Sequence, residues 1–292
     1  MPACVESRLL LLKSHQNPDG GWGYFPGKDS WLEPTAYALI ALSAGSRDQS
    51  FERGWERVRS WQRRDGAWRP CAQVDQAHWA TSLVVTLHCL LGAYDDAFLR
   101  GTGWLLASTG SETGPISRAA HLLSPSMVEF DPGFGGWPWD PDTSSWIEPT
   151  AHALIALKRA RTHYRGSGLS ERVAEGEHML LERRCSDGGW NYGNRRVLRQ
   201  DLPSYPETTA LALLALDGNG SLDWQAALAR ADAMRRETRS RLGRAWLSAC
   251  LVHFHGSASQ PHLADIAPAA PDASPDIVLT SVEALACLRI LA

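Results

Sequence analysis

Two kinds of helical pattern alternate along the chain. One is amphipathic. In "FERGWERVRSWQRR" (51–64) the apolar positions Phe51, Trp55, Val58 and Trp61 or Gln62 recur at helical spacing, with Arg and Glu between them. "LDWQAALARADAMRR" (222–236) repeats the pattern with Trp224, Leu228, Ala231 and Met234, and "MPACVESRLLLLKSHQ" at the N-terminus also reads as a helix. The other kind is apolar nearly all round: "TAYALIAL", "TSLVVTLHCLL", "TAHALIAL", "TALALLAL", "AWLSACLVHF" and "TSVEALACLRIL". A helix apolar on every side must be buried on every side. Alternation of the two kinds predicts two concentric layers, an inner ring of apolar helices covered by an outer ring of amphipathic ones. The fold class is all-α: a closed α/α toroid of about six helical hairpins, expected as one domain over residues 1–292. The inner helices would begin near Pro34, Trp79, Pro149, Glu207, Ala245 and Val278, with their N-termini at one end.

Two motifs recur in fixed order within these units. A turn ends in Trp: "QNPDGGW" at Trp22, "QRRDGAW" at Trp68, "DPGFGGW" at Trp137 and "RCSDGGW" at Trp190. A helix start ends in Thr: "WLEPT" at Thr35, "AHWAT" at Thr81, "WIEPT" at Thr150 and "YPETT" at Thr209. From Trp to Thr the distance is 13 residues in the first three copies and 19 in the fourth, a six-residue insertion. "DIVLTSVEALACL" is a weak further copy that puts Thr280 in the same place without the preceding turn. Each hairpin is one stave of a ring and cannot bury its own apolar face alone. Pro34 and Pro149 fall in the first helical turn, where proline is best tolerated.

Composition narrows the function classes. The formal net charge is −3, and no basic run suggests a nucleic-acid groove. There are 13 Trp against 6 Tyr and 6 Phe, which points to a repeated structural motif or an aromatic-lined cavity. The six cysteines (Cys4, Cys71, Cys89, Cys185, Cys250 and Cys287) are scattered with no Cys-x-x-Cys, so a reduced, cytoplasmic protein is expected. No apolar run is long enough to span a bilayer. Peripheral membrane contact and oligomeric state stay open.

The Gln-x-x-x-Gly-x-Trp turns, Gln16 to Trp22 and Gln62 to Trp68, resemble the repeat of the squalene cyclase and protein prenyltransferase superfamily. The other two turns have Asp131 and Arg184 in the Gln place. The resemblance covers nearly the whole chain. It implies a toroid around a largely apolar cavity that accepts an isoprenoid. In the proton-initiated cyclases of that superfamily the inner-helix start carries Asp-x-Asp-Asp-Thr-Ala, and the middle Asp gives the proton. Laid on this chain, the donor place falls on Glu33, Glu148 and Glu207, while the flanking Asp residues are lost. Asp276 is the only acid at a first-Asp place. A Glu beside indoles is kept neutral by desolvation but is a weaker acid, so an epoxide or an activated double bond suits it better. The prenyltransferase zinc ligands are not matched: Leu279 stands at the His place, and no diphosphate-ionising Asp-Asp-x-x-Asp motif occurs. No metal or cofactor is expected.

The candidate catalytic groups are therefore Glu33, Glu148 and Glu207. The candidate wall of an isoprenoid cavity comprises Trp31, Tyr37, Trp79, Trp146, His152 and Tyr205, with Asp276 at the mouth. Arg195 and Arg196, in the inserted "NRRVLRQDLP", are candidates for an anionic head group. Each feature also has a plain structural reading. The glutamates would complement helix dipoles at about 0.3–1 kcal/mol each, the aromatics would be core packing, and the arginines a solvated loop. Three functions follow: a terpenoid cyclase-like protein with Glu-initiated cyclisation or isomerisation, a non-catalytic repeat scaffold or lipid-binding protein, and a carbohydrate-active α/α barrel.

Overall fold

The constant Trp-to-Thr spacing is a hydrogen-bonded joint. In the computed structural model, which describes residues 3–45, 47–114, 119, 134–255 and 275–288, each turn Trp is fully or almost fully buried. Its backbone N–H donates to the hydroxyl of the matching Thr at 2.9–3.0 Å in all four copies: Trp22 to Thr35, Trp68 to Thr81, Trp137 to Thr150 and Trp190 to Thr209. Each indole N–H donates to a carbonyl of the helix before it, Leu12, Val58, Leu105 or Leu180. One Trp thus ties the outer helix, the turn and the inner helix together. Gln16 and Gln62 brace their turns by donating to the Gly20 and Gly66 carbonyls, and Arg184 does the same to Gly188 in the Gln place. Asp131, the other replacement, lies outside the described residues. Thr280, with no Trp turn before it, bonds the Asp276 carbonyl of its own helix instead.

Among the described residues the helices are α1 (Ala3–Ser14), α2 (Leu32–Leu42), α3 (Gln49–Ser60), α4 (Thr81–Leu91), α5 (Asp96–Ala107), α6 (Ile147–Ala160), α7 (Leu169–Glu182), α8 (Pro206–Ala215), α9 (Trp224–Glu237), α10 (Arg241–His255) and α11 (Ile277–Leu288). The inner ring runs α2–α4–α6–α8–α10–α11 and closes, because α11 packs on α2. α1, α3, α5, α7 and α9 lie outside it. This is the α/α toroid. α2 and α6 are buried on nearly every side, whereas α3 buries only Phe51, Gly54, Trp55 and Val58. α9 buries Ala227, Ala231, Met234 and Arg235 and leaves the expected Trp224 and Leu228 half-covered, a rotation of its buried face toward Ala227.

The outer ring approaches closely through glycine. A Cβ on Gly54, Gly101 or Gly176 would stand 2.7, 2.5 or 2.7 Å from the indole of Trp22, Trp68 or Trp137. The first and last helices are clasped by a buried ion pair, in which Arg8 Nε donates to Glu283 at 3.0 Å. Short β pairs occur in two connections: β1 (Trp137–Pro138) with β2 (Ser145–Trp146), and β3 (Arg196–Val197) with β4 (Gln200–Asp201). Cys71, Cys89, Cys185, Cys250 and Cys287 are free thiols. Among the described residues no helix is long and apolar enough to cross a membrane.

Candidate functional site

The starts of the inner helices form the mouth of the ring. Trp31, Trp146 and Tyr205 precede α2, α6 and α8 with extended backbones, and none of their side chains caps the helix. The orphan N–H groups are met by the loop of a neighbouring repeat. Leu32 donates to the Pro70 carbonyl, Ile147 to Tyr192 and Ile277 to Tyr24, the last bond joining the final inner helix to the first turn. These three acceptors all lie two residues after a turn Trp. Glu33, Glu148 and Glu207 each occupy the second position of their helices, and Asp276 precedes α11, where its carboxylate accepts from the Leu279 N–H.

The acids share one field. Glu148 is recessed: water still touches part of it, but the protein around it is dense. Burial, then the charges of Glu33 and Glu207, push its pKa up to about 8. Among the described residues it makes no hydrogen bond or ion pair. Glu33 is held up by burial and by Asp276, against the opposing effect of the Tyr24 hydroxyl, which donates to it at 2.6 Å. Burial and the Glu33 carboxylate raise Tyr24 in turn. Glu207 accepts from the Ser240 hydroxyl at 2.7 Å. Thus the carboxyl that has no hydrogen-bond partner among the described residues is pushed up to about 8, while its neighbour Glu33 accepts from a phenol.

Below the acids lies an aromatic floor. Tyr37 and His152 stand one helical turn, about 6 Å, deeper than Glu33 and Glu148. They are hydrogen-bonded to each other at 2.9 Å. Trp246 of α10 packs on both, with ring centroids 6.0 and 5.9 Å away. Trp79 lies 5.4 Å from His152 and 4.9 Å from Trp139. Tyr37, His152 and Trp246 come from alternate staves, so their contacts cross the ring axis. The axis is closed at this level by side chains, so the central hollow that the resemblance implied is filled here by Tyr37, His152 and Trp246. Burial drives the His152 pKa down to about 3 and raises that of Tyr37, so the floor is uncharged at neutral pH. His78 sits in the loop before α4.

The remaining candidates lie at the rim. Trp146 and Tyr205 are exposed, 39% and 43%, and do not pack in the core; Trp31 is half-buried against Tyr24. The insertion forms the β3–β4 hairpin, in which Arg196 pairs with Asp201 at 3.4 Å and Arg195 is exposed. Between the hairpin and Trp146 is a cleft of about 320 Å³, lined chiefly by Trp146, Tyr192, Asn194, Val197, Leu202 and Tyr205. Tyr24, Trp139, Tyr192 and Trp246 are site residues that the sequence reading missed. Three of them share a legible signal, an aromatic two residues after the turn Trp.

No protein-family model matches the chain. It is 29% identical over 217 residues to a drimenyl diphosphate synthase of Streptomyces showdoensis, an alignment covering 72% of this chain and 36% of that protein. A drimenyl diphosphate synthase of Streptantibioticus cattleyicolor is 45% identical over 67 residues. The chain thus spans about a third of the length of the first of these relatives. Among solved structures, the type II terpene cyclase MstE from Scytonema, bound to geranylgeranyl dihydroxybenzoate, superposes with TM-score 0.55 at 17% identity, over 98% of this chain and 76% of that one. An α-1,6-mannanase of Salegentibacter superposes with TM-score 0.63 at 11% identity over 98% of each chain. At such identities the superpositions show the double-ring fold alone, which both enzyme classes share. The sequence similarity is to the cyclases, and the chain is a distant homologue of drimenyl diphosphate synthases with a type II terpene cyclase-like fold.

Proposed function

We propose that this chain binds an isoprenoid across the mouth of the toroid and that Glu148 supplies the proton that starts its cyclisation or isomerisation. The observation that carries this reading is Glu148 itself, a carboxyl with a pKa of about 8 and no hydrogen-bond partner among the described residues, above an uncharged aromatic floor. At pH 7 about nine in ten such groups hold their proton. The Glu148 O–H bond breaks toward one carbon of a double bond or toward an epoxide oxygen, and the positive charge appears on the more substituted carbon. A neighbouring double bond attacks that carbon and the charge moves down the chain. Loss of a proton from the final cation to another carboxyl group of the mouth, Glu33, Glu207 or Asp276, leaves an isomer of the substrate. Trp79, Trp246 and Tyr37 would steady the travelling cation, each desolvated contact worth about 2 kcal/mol.

The likeness to drimenyl diphosphate synthases and to MstE supports the substrate class. The scaffold reading needs the glutamates as anions at helix ends, and a carboxyl neutral at pH 7 gives no such stabilisation. The experiment is incubation in D2O with linear prenyl diphosphates, prenyl alcohols and squalene epoxide, followed by mass spectrometry. A cyclic isomer is expected from the wild type, carrying one carbon-bound solvent deuterium where a double bond is protonated and none that survives work-up where the epoxide oxygen is. Glu148→Gln should abolish it and Glu207→Gln should retain part of it. Turnover undiminished in Glu148→Gln would refute the assignment of the acid.

A further inference from the structure

Ten large apolar or aromatic side chains stand exposed among the described residues, and seven of them lie in the connections that run from a turn Trp to the next inner helix. Phe25 and Val74 are in the first two connections, Trp146 in the third, and Tyr192, Leu198, Leu202 and Tyr205 in the fourth. The connections at the other end of the ring contribute Tyr94 alone, which stacks on His163 at 3.6 Å. Exposed apolar side chains gathered on one face mark a surface that meets something. Here they surround the mouth, and five of the seven crowd into its third and fourth repeats.

The fourth connection puts one of them at the tip of the β3–β4 hairpin. Arg196 is opposite Asp201 and Val197 opposite Gln200, so Leu198 and Arg199 form the two-residue turn. Both have positive φ, 52° and 62°. Asn-Gly makes such a turn at little cost, whereas a bulky side chain there is strained. Leu198 is 59% exposed and does not line the cleft, so packing within the chain does not account for it. The hairpin is braced at its base. Asn191 accepts from the Gly193 N–H and donates to the Asn194 carbonyl, and the Leu202 N–H donates to the Arg195 carbonyl. Three arginines flank the tip. Arg196 is turned to Asp201. Arg195 and Arg199 are exposed and make no ion pair among the described residues.

We infer that the hairpin and the aromatic side chains beside it seat the mouth on an anionic phospholipid surface. Trp146, Tyr192 and Tyr205 suit the zone between headgroups and acyl chains, being apolar in body and polar at one end. Leu198 would reach further in, and Arg195 and Arg199 would meet the phosphates. A soluble anion would use the arginines but gain nothing from an apolar tip. A second copy docked tip to tip would bring two positive hairpins together. Asp140 and Asp142 are exposed on the connection across the cleft, so the phosphate contacts are confined to the hairpin. Docking in this pose would let an apolar chain pass from the bilayer to the cleft without crossing water. The inference goes beyond the reading of Glu148 and does not depend on it.

Flotation of the full chain with vesicles tests this, using phosphatidylcholine alone or equal parts of phosphatidylcholine and phosphatidylglycerol, at low and at high salt. The chain should bind the mixed vesicles about thirtyfold tighter than the neutral ones at low salt, from about fivefold for each free arginine, and salt should erode that preference. Arg195→Gln combined with Arg199→Gln should bring the mixed vesicles down to the neutral level. Leu198→Asn, which suits the left-handed backbone and so keeps the hairpin, should weaken binding to both kinds of vesicle about tenfold and leave the salt dependence unchanged. No binding of the unmodified chain to mixed vesicles at low salt overturns the inference, whether the arginines then prove to bind inorganic diphosphate or the face to join two copies. Leu198→Asn binding as well as the unmodified chain also overturns it, because the tip would not be inserted. Either failure leaves the Glu148 proposal standing, since that is read from product formed in solution.

Discussion

Replacing Glu148 with Gln should make the protein more stable, and increasingly so as pH rises. The ordinary glutamate pKa is 4.5, and Glu148 sits at about 8 because burial and the neighbouring glutamates penalise its charge. The folded chain therefore binds this proton more tightly than the unfolded chain does. Stability is unaffected by the group below pH 4.5 and falls as pH rises from 4.5 through 8. The full shift corresponds to about 5 kcal/mol above pH 9, and to about 3 kcal/mol at pH 7. Both are upper bounds, since water touches part of the side chain and screens it. Gln keeps the shape and has no proton to lose. Urea unfolding of both proteins at pH 5, 7 and 9 measures the difference. Near-equality at pH 5, an advantage of about 2 kcal/mol for Gln at pH 7 and a larger one at pH 9 are expected. A difference that is flat across the three pH values would mean that Glu148 is an ordinary ionised helix-end residue, and the proposed acid would fall with it.

Three other perturbations probe the frame. Gly101→Ala puts a Cβ 2.5 Å from the Trp68 ring, so overpacking should lower unfolding free energy by about 1–3 kcal/mol, read as a shifted urea midpoint. Thr150→Val removes the acceptor of the Trp137 N–H inside the core and should cost about 1–3 kcal/mol, while Thr150→Ser should recover most of it. Glu283→Ala leaves Arg8 buried beside a lost partner; a drop of about 3–5 kcal/mol is expected in the same assay.

The ring was legible because its joints are written as fixed distances. Thirteen residues from Trp to Thr is one turn plus one helix start, and the hydrogen bond between them leaves no freedom in that length. The Tyr37–His152 contact was legible too: the two residues stand 115 apart, the offset between "SWLEPTAYALIAL" and "SWIEPTAHALIAL". They are the same position in the first and third staves, alternate members of the ring whose side chains meet near its axis. Gly54, Gly101 and Gly176 went unread as packing points because a glycine in an exposed-looking helix carries no pattern of its own. Trp246 went unread because its stave lacks the turn that would have aligned it. The insertion read as a loop, since two-residue strands leave no periodicity, and only the fold shows that it walls a cleft. The acid gathering followed from the repeat, but the ranking of the acids did not. It depends on Tyr24 reaching Glu33 while no described residue hydrogen-bonds Glu148.

The unequal treatment of these acids has an electrostatic reason. Every inner helix presents an N-terminus, and with it about half a positive charge, to its end of the ring. With the inner N-termini gathered there, a mouth lined only by aromatics would repel a carbocation. Four of the six starts carry an acid, Glu33, Glu148, Glu207 and Asp276, while α4 and α10 begin with Thr81 and Arg241. A carboxylate set that were fully ionised would neutralise the dipoles but have no proton to give. One that were fully protonated would offer protons with nothing to attract the resulting cation. Like charges in one pocket resolve the conflict, because each ionised neighbour raises the cost of ionising the next. The Tyr24 hydroxyl breaks the symmetry by favouring charge on Glu33, and the proton stays on Glu148. In the proposed reaction the proton would leave Glu148 as the cation forms, so that its carboxylate would attract the charge at the moment that charge develops. Motion of that charge toward Tyr37, Trp79 and Trp246, as proposed, would then carry it away from the helix ends and into rings that favour it.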